Sequence, residues 1–560
     1  MDIWIVPFVA FLLLALLVKL TIRSSGTSSP LTNPSALRLP PGPWQLPLIG
    51  SLHHLLLSRF RDLPHRALRE MSGTYGPLML LRFGAVPTLV VSSAEAAGEV
   101  MRTHDLAFCD RYLSATFDII TCGGNNIISS RYNERWRELR KVCVLELFSQ
   151  QRVLSFRPVR EHEVARLLRS ISDECGGGGG GHHQPVNLSQ GICRMINDVV
   201  ARTVIGDRCK YQDEYLRELD QVVRLNGGFN MADLYPSSRL VRRFSTAARD
   251  MARCQRNLYR IIERIIQERA VVMQATAERE EDDDLLGVLL RLQAGGGLRF
   301  ALTTEIVSTI IFDIFSAGSE TSSTVLVWAM SELVKNPQVM HKAQSEVREA
   351  FKGQHKITKD DLVKLRYLPL VIKETMRLHA PVPLLIPREC RETCQVMGYD
   401  VPKGTRVFVN VWAISRDNKF WGDGEVFRPE RFGSSSVDFR GTDFEFTPFG
   451  AGRRICPGIT LGLANMELSL ASLLYHFDWD LPDGVSFGQG DKRDLVHYIL
   501  EAANAIAIIL SAREFVLLGG RDSCAHAIGC RGATPMPLLD GRCPEVAWWE
   551  YTEQRGAGLV

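Results

Sequence analysis

The stretch FGAGRRICPG, residues 449–458, presents a single thiol, Cys456, on a loop rich in glycine. Gly452 and Gly458 allow the backbone to turn tightly and to approach a flat ligand closely. The apolar run that follows, residues 461–474, predicts a helix. Cys456 would then lie just before a helix amino terminus, where the helix dipole and the free N–H groups favour a thiolate.

A thiolate among amide donors is what an axial haem ligand needs, and Arg454 offers a fixed charge that can neutralise a carboxylate. The decamer matches the cytochrome P450 signature, F-x-x-G-x-R-x-C-x-G, at every fixed position. From residue 40 to about residue 483 the chain resembles the plant, microsomal, A-type members of this family. Among them it is most similar to the enzymes that oxidise terpenoids.

The resemblance implies a mainly α fold with a minor β portion, preceded by an N-terminal transmembrane helix. It also implies haem b, iron protoporphyrin IX, as the cofactor, with Cys456 as the axial ligand of the iron. Phe449, Gly450, Arg454 and Gly458 match family positions that bind the haem.

A second match is AGSETS, residues 317–322, inside a long apolar helix predicted for residues 304–334. Ala317 and Thr321 lie one turn apart on the same helix face, so the Thr321 hydroxyl can bond to the Ala317 carbonyl. The resemblance implies that Ala317 lies beside the haem. It also implies that Thr321 and Glu320 deliver protons during oxygen activation.

A third match joins two separate segments. Glu374 and Arg377 are spaced i, i+3 on a predicted helix, and Arg431 follows in the sequence PERF. By themselves such residues indicate a surface ion pair of little energetic value. The resemblance implies instead a structural triad that locks the segment leading to the cysteine loop.

A fourth match, WRELR, contains Trp136 and Arg140 on one face of a predicted helix. Arg388 lies in a further family segment, IPRE. The resemblance implies that these three side chains contact the haem propionates. The forked guanidinium suits this task because it pairs bidentately with a carboxylate.

The amino terminus has the features of a membrane anchor. The apolar run 3–18 carries no charge and approaches the roughly 20 residues that span a bilayer. Lys19 and Arg23 follow the run and only Asp2 precedes it, which favours an uncleaved signal anchor over a cleaved signal peptide. We expect a single-pass protein of the endoplasmic reticulum membrane with a cytoplasmic catalytic domain.

The chain divides into four parts on this interpretation. Residues 1–23 are the anchor, 24–50 a linker with a proline-rich hinge, and 51–490 the haem-thiolate domain. Residues 491–560 form an atypical tail in which the closing β hairpin of the family is not recognisable. A gene-model artefact is the favoured explanation of this tail. If the tail is genuine, the roof of the substrate pocket is missing or rebuilt.

Composition excludes some classes of function. Lys and Arg total 66 against 63 Asp and Glu. A net charge of +3 does not indicate the strongly basic surface that binds nucleic acid. The 13 cysteines form no dense framework, which favours reduced thiols in a cytosol-facing protein. Cys390 and Cys394 lack a second pair at zinc spacing, so we interpret them as two ordinary thiols.

By resemblance, four segments form the substrate pocket, and their apolar content suits a lipophilic small molecule. Terpenoids are favoured, while fatty acids, phenylpropanoids and alkaloid precursors stay open. Membrane lipid is an expected partner, because such substrates partition into the bilayer. The four segments are residues 111–125, 229–235, 312–321 and 382–386.

The chain has no glycine-rich dinucleotide fingerprint and no flavin domain, so its electrons must come from another protein. The resemblance implies a membrane-bound NADPH-cytochrome P450 reductase. Arg137, Lys141 and Arg453 are candidates for a basic face that steers this acidic partner.

Three functions fit these motifs. The first is a monooxygenase that inserts one oxygen atom from O2 into a lipophilic substrate. The second is a haem-binding membrane protein that is catalytically impaired by its carboxyl terminus. The third is a haem-thiolate isomerase or dehydratase, and the presence of Glu320 and Thr321 argues against it.

Overall fold

A computed structural model describes residues 37–61, 63–176, 186–227, 229–275, 284–296, 298–354, 357, 359–480 and 529–531. The predicted anchor, residues 1–23, lies outside these ranges, as do the first part of the linker and nearly all of the tail. Within the described ranges no helix is both long enough and apolar enough to cross a bilayer.

Helices make up most of the described chain, which confirms the mainly α class. The α-helices are α1 (Leu52–Leu56), α2 (Pro64–Tyr75), α3 (Ala94–Gly98), α4 (Ala115–Ile120), α5 (Glu134–Val142), α6 (Gln150–Ser155), α7 (Arg157–Gly176), α8 (Leu188–Ile205), α9 (Gln212–Leu225), α10 (Met231–Leu234), α11 (Arg239–Phe244), α12 (Thr246–Ala275), α13 (Leu285–Gly295), α14 (Thr304–Lys335), α15 (Pro337–Ala350), α16 (Lys359–Leu362), α17 (Leu368–Leu378), α18 (Val411–Ile414), α19 (Asn418–Trp421) and α20 (Ile459–His476).

The minor β portion is equally clear. The strands are β1 (Leu78–Phe83), β2 (Val86–Val91), β3 (Asp110–Arg111), β4 (Arg388–Glu389), β5 (Cys394–Val396), β6 (Tyr399–Val401), β7 (Arg406–Val409), β8 (Asp478–Asp480) and β9 (Gly529–Arg531). Five of them form one sheet in the order β1-β2-β7-β4-β3, and two further sheets pair β5 with β6 and β8 with β9.

The longest helix, α14, lies in the middle of the helical core. Thr303 caps its amino terminus through a hydrogen bond from the Ile306 amide to the threonine hydroxyl. Apolar residues are buried on several faces of α14, because α8, α12, α17 and α20 pack around it. A helix that is apolar all round needs such complete coverage. The helix predicted for residues 304–334 agrees with the observed bounds of α14 to within one residue.

The sheet brings distant segments together. The hairpin of β1 and β2 turns at Gly84, whose φ of +59° lies in the left-handed region that favours glycine. β7 lies parallel to β2 and antiparallel to β4, and β4 is antiparallel to β3. In this register Arg111 is opposite Arg388. Two arginines separated widely in sequence thus become neighbours.

A buried ionic network holds the segment before the cysteine loop. Glu374 on α17 is fully buried and accepts hydrogen bonds from Arg377 Nη2 at 2.8 Å and Arg431 Nε at 2.9 Å. Arg377 Nη1 also donates to the carbonyl oxygens of Ser415 and Gly424, at 2.6 and 2.7 Å. Buried charges are tolerated when paired and hydrogen-bonded in this way. The expected ion pair of Glu374 and Arg377 is therefore an internal clamp, not a surface contact.

Part of the tail contributes a strand. Gly529–Arg531 pairs antiparallel with Asp478–Asp480, and Cys530 is opposite Trp479. The rest of residues 491–560 lies outside the described residues.

Candidate active site

A cavity of about 250 Å³ separates α14 from the cysteine loop. Ala317 and Thr321 line it from the helix, and Cys456 lines it from the loop. Phe449, Gly450 and Gly458 also border this space. The structure thus brings together residues that the sequence separates by more than a hundred positions.

The cysteine loop is shaped by close backbone contacts. The Cys456 amide donates to the Phe449 carbonyl at 3.0 Å, which closes the loop on itself. Gly452 has a φ of +67°, and a Cβ atom there would lie 2.4 Å from the Met101 carbonyl oxygen. Glycine is therefore required at this position for both conformation and space.

The Cys456 thiol is partly buried and borders the first cavity. Burial raises its pKa, and this effect exceeds the opposing influence of the Gly458 amide and the Arg140 charge. Helix α20 begins at Ile459, as expected from the sequence. The Gly458 amide and the Arg140 charge act in the direction that favours a thiolate, and desolvation acts against them.

Four arginines line the same cavity: Arg111, Arg140, Arg388 and Arg454. Arg454 Nε donates to the Cys109 carbonyl at 2.6 Å. Arg388 Nη2 donates to the Ala451 carbonyl at 2.8 Å, and Arg111 Nη1 to the Ile386 carbonyl at 2.7 Å. Arg140 Nη2 donates to the Ile455 carbonyl. Backbone carbonyls therefore hold each guanidinium in place without neutralising its charge.

Positive charge accumulates in this cluster. Burial lowers the pKa of Arg111 well below its usual range, and the charges of Arg454, Arg388 and Arg140 lower it further. Among the described residues, Asp105 is the one carboxylate at ion-pair distance from any of the four arginines, 3.4 Å from Arg388. The cluster therefore suits an anionic ligand.

Trp136 also lines the first cavity, where it contacts both the backbone and an arginine of the cluster. Its Nε1–H donates to the Ile127 carbonyl at 3.0 Å, so this donor is already engaged within the protein. The Arg454 guanidinium lies 4.1 Å from the centre of the indole ring, which is a cation–π contact. Trp136 thus supports an arginine of the cluster.

The helix side of the cavity has the predicted hydrogen bond. The Thr321 hydroxyl donates to the Ala317 carbonyl at 2.7 Å. Burial raises the pKa of Glu320, and the nearby Asp220 carboxylate adds to this effect. A carboxyl group of this kind retains its proton to a higher pH than an exposed glutamate does.

A second cavity of about 180 Å³ shares Ala317 and Thr321 with the first. All four predicted pocket segments contribute to it, through side chains such as Phe117, Phe229 and Phe312. Leu219 and other residues near the end of α9 form a further wall that the sequence did not indicate.

Comparison with known proteins decides the family. The sequence profile described as "Cytochrome P450" matches residues 40–500 of this chain. The chain belongs to the cytochrome P450 family.

Several relatives of this P450 are plant enzymes with which it shares about half of its aligned residues. It is 52% identical to a dolabradiene monooxygenase of Zea mays over 475 residues, which cover 84% of this chain and 92% of the relative. It is 51% identical to an ent-isokaurene C2/C3-hydroxylase of Oryza sativa subsp. japonica over 459 residues, or 80% of this chain and 88% of the relative. The expected kinship with terpenoid-oxidising plant P450 monooxygenases is confirmed.

A solved structure supports the fold independently. A zebra fish cytochrome P450 determined with abiraterone superposes with a TM-score of 0.63 at 27% identity. The match covers 76% of this chain and 95% of the zebra fish chain.

The family implies haem iron, and the residues of the first cavity fit that group. Haem needs a protein ligand for its iron, cationic partners for its propionate carboxylates, and flat apolar walls for its ring. Cys456 can supply the ligand, and the under-neutralised arginine cluster can supply two partners for the propionates. Arg454 Nη1 is buried and has no hydrogen-bond partner among the described residues. A propionate oxygen would accept a hydrogen bond from such a donor.

Two residues of the site were missed at the sequence level. Arg111 was named only as the first residue of a pocket segment, because nothing in the spacing links it to Arg388 before the strands β3 and β4 pair. Asp313 on α14 lines both cavities and accepts a hydrogen bond from the Ile127 amide at 2.9 Å. For Asp313, the sequence offered one signal, which is an acidic residue within an otherwise apolar run.

Proposed function

We propose that this P450 inserts one oxygen atom from O2 into a lipophilic small molecule of the terpenoid class. The observation that carries the proposal is the arrangement of the first cavity, in which Cys456 and the Ala317–Thr321 turn line one space. This space adjoins the second, largely apolar cavity. The relatives named for dolabradiene and ent-isokaurene support the substrate class.

Haem b is the proposed cofactor, with Cys456 as its axial ligand and Arg111, Arg140, Arg388 and Arg454 around its propionates. When bound, the haem supplies the activation of O2 that amino-acid side chains cannot perform. The buried arginines hold the cofactor because guanidinium–carboxylate hydrogen bonds are strong in a desolvated site.

Thr321 and Glu320 are the proposed proton carriers. Because the Thr321 hydroxyl donates a hydrogen bond to the Ala317 carbonyl, its oxygen can accept a hydrogen bond from a neighbouring proton source and hold that source in place. Glu320 can be that source, since its raised pKa keeps a fraction of its carboxyl protonated nearer to neutral pH. Both residues line the second cavity, where the substrate would lie.

An NADPH-dependent reductase is the proposed electron donor. Arg137 and Lys141 are exposed on α5, the helix whose Arg140 contacts the cysteine loop. They can therefore present positive charge close to the haem site. Arg453 is partly neutralised, because its Nη1 lies 2.6 Å from Asp105. We expect Arg137 and Lys141 to contribute more to docking than Arg453 does.

Attachment to the endoplasmic reticulum membrane, with residues 1–23 as a single-pass anchor, also belongs to the proposal. Exposed apolar side chains support it: Trp44 is 61% exposed, Leu57 83%, Leu240 70% and Phe244 72%. The Tyr235 hydroxyl donates to the Leu48 carbonyl and joins the two segments that carry these residues. Arg242 and Arg243 of α11 add positive charge, as is typical of helices that lie on anionic lipid.

The test is turnover by the full chain in microsomes with a plant NADPH-cytochrome P450 reductase. We expect oxygenated product from a panel of terpenoids that depends on NADPH and O2. The alternative, a haem-binding but impaired protein, predicts the haem-thiolate spectrum without product. A product that forms without O2 would favour the isomerase or dehydratase hypothesis instead.

A further inference from the structure

Arg406 stands out in the second cavity because it is the one cation among the described residues that line it. It lies on β7, at the end of the cavity bordered also by Tyr112 and Phe408. Its side chain is almost fully buried, with 3% of the residue exposed. It is thus a buried charge that no part of the proposed oxygen chemistry uses.

The bonding of Arg406 within the protein is incomplete. Its Nε donates to the Thr88 hydroxyl at 3.1 Å. Its buried Nη2 has no hydrogen-bond partner among the described residues. Aromatic rings provide a partial substitute, since the guanidinium carbon lies 4.7 Å from the ring centre of Phe408 and 5.3 Å from that of Tyr112.

The described residues also provide no carboxylate at ion-pair distance from Arg406. Asp233 acts on it only through a longer-range charge interaction. The Asp233 carboxylate accepts hydrogen bonds from the Thr116 amide and hydroxyl, at 2.9 and 2.8 Å, and from the Asn230 side chain. Burial lowers the pKa of Arg406 to about 10, so the guanidinium is still charged at neutral pH. An unpaired buried charge is costly, and a bound anion would offset that cost.

We propose that Arg406 binds a carboxylate of the substrate, so that this enzyme acts on a terpenoid carboxylic acid and not on the parent hydrocarbon. This inference rests on the proposed function and narrows its substrate class. The remainder of the cavity is mostly apolar and accommodates the terpenoid body.

The charges in the cavity also set the orientation of such a substrate. Asp313 and Glu320 line the cavity from α14 and offer no positive charge to a carboxylate there. The acid group therefore lies at Arg406, and the carbon that is oxidised lies near Ala317 and Thr321.

The experiment compares acids with their methyl esters, which have the same skeleton and no charge. Abietic acid and farnesoic acid, each with its methyl ester, are titrated into the full-length holoenzyme in nanodiscs. Binding is read from the haem absorption shift and, independently, by equilibrium dialysis against empty nanodiscs. We expect at least one acid to bind about tenfold or more tightly than its ester.

Two variants assign that preference to Arg406. Arg406→Met removes the charge while it keeps most of the side-chain volume, and it should abolish the preference for the acid without changing the affinity for the ester. Arg406→Lys keeps a positive charge and should retain part of the preference. The unchanged ester affinity is the control for an intact cavity.

Two outcomes overturn the proposal: equal binding of acid and ester in both pairs, or an acid preference that persists in Arg406→Met. Either would mean that Arg406 is a structural arginine held by Thr88 and its aromatic neighbours. The carbon-monoxide spectrum of the same samples reports the haem-thiolate site separately. A normal spectrum with no acid preference rejects the substrate class and leaves the proposed function intact.

Discussion

Asp313 accepts a 2.6 Å hydrogen bond from the side-chain amide of Asn126. Its other carboxylate oxygen accepts from the amides of Ile127 and Ile128, at 2.9 and 3.1 Å. One side chain of the central helix α14 thereby fixes a loop whose residues line both cavities. Burial raises the pKa of Asp313 to about 7, and the three hydrogen bonds oppose this rise.

The Asp313 carboxyl should make stability depend on pH. Its folded-state pKa of about 7 exceeds the unfolded value of about 3.9, so the folded state binds the proton more tightly. Its contribution to stability is therefore fully present below about pH 4 and is lost as the pH rises to about 7. Thermal unfolding of the wild type and Asp313→Asn between about pH 5 and pH 8 measures this. The wild type should lose stability relative to the variant as the pH rises, and parallel curves would contradict the assignment.

Removal of Glu374 should unfold the segment before the cysteine loop. Glu374→Ala leaves Arg377 and Arg431 without their buried partner, which typically costs about 3–5 kcal/mol. We expect little haem-loaded protein on expression. Glu430→Ala is the matched control, because Glu430 is 46% exposed and its ion pair with Lys342 should contribute less than about 1 kcal/mol. Equal yields of the two variants would show that the buried network is dispensable.

Arg111 should retain the cofactor, although its sequence context gave no such indication. Arg111→Gln removes one charge from the arginine cluster and should accelerate haem transfer to apomyoglobin about tenfold or more. Arg131→Gln is the control, since Arg131 lies in the same region with 66% of its side chain exposed. A transfer rate in Arg111→Gln equal to that of the control would exclude Arg111 from the haem site.

Thr321 should couple electron use to product formation. Thr321→Ala removes the hydroxyl that bonds to Ala317 and should reduce the product formed per NADPH consumed, with a rate loss of about 10²-fold. Thr321→Ser keeps the hydroxyl and should preserve most of the coupling. If alanine and serine behave alike, the hydroxyl carries no proton in this enzyme.

Short-range patterns predicted much of this structure. The hydroxyl bond from Thr321 to Ala317 and the start of α20 after Cys456 follow from spacing along one helix or one loop. Sequence periodicity determines such local features directly.

Features that depend on distant segments were not predictable in the same way. Arg111 joins the cluster only because β3 pairs with β4, and Asp313 meets its hydrogen-bond donors only because the loop at Asn126 folds against α14. The hydrogen bond from Trp136 to the Ile127 carbonyl depends on the same loop. The chemistry of a single residue does not reveal the partners that reach it only through tertiary contacts.

The proposed activity requires that Cys456 ligate the haem iron. The most direct measurement is the reduced, carbon-monoxide-bound difference spectrum of the full chain in microsomes, recorded beside Cys456→Ala. A strongly red-shifted haem band in the wild type that is absent in the variant is the predicted result. A wild-type band without the thiolate shift, or a shifted band that survives in Cys456→Ala, would contradict the account.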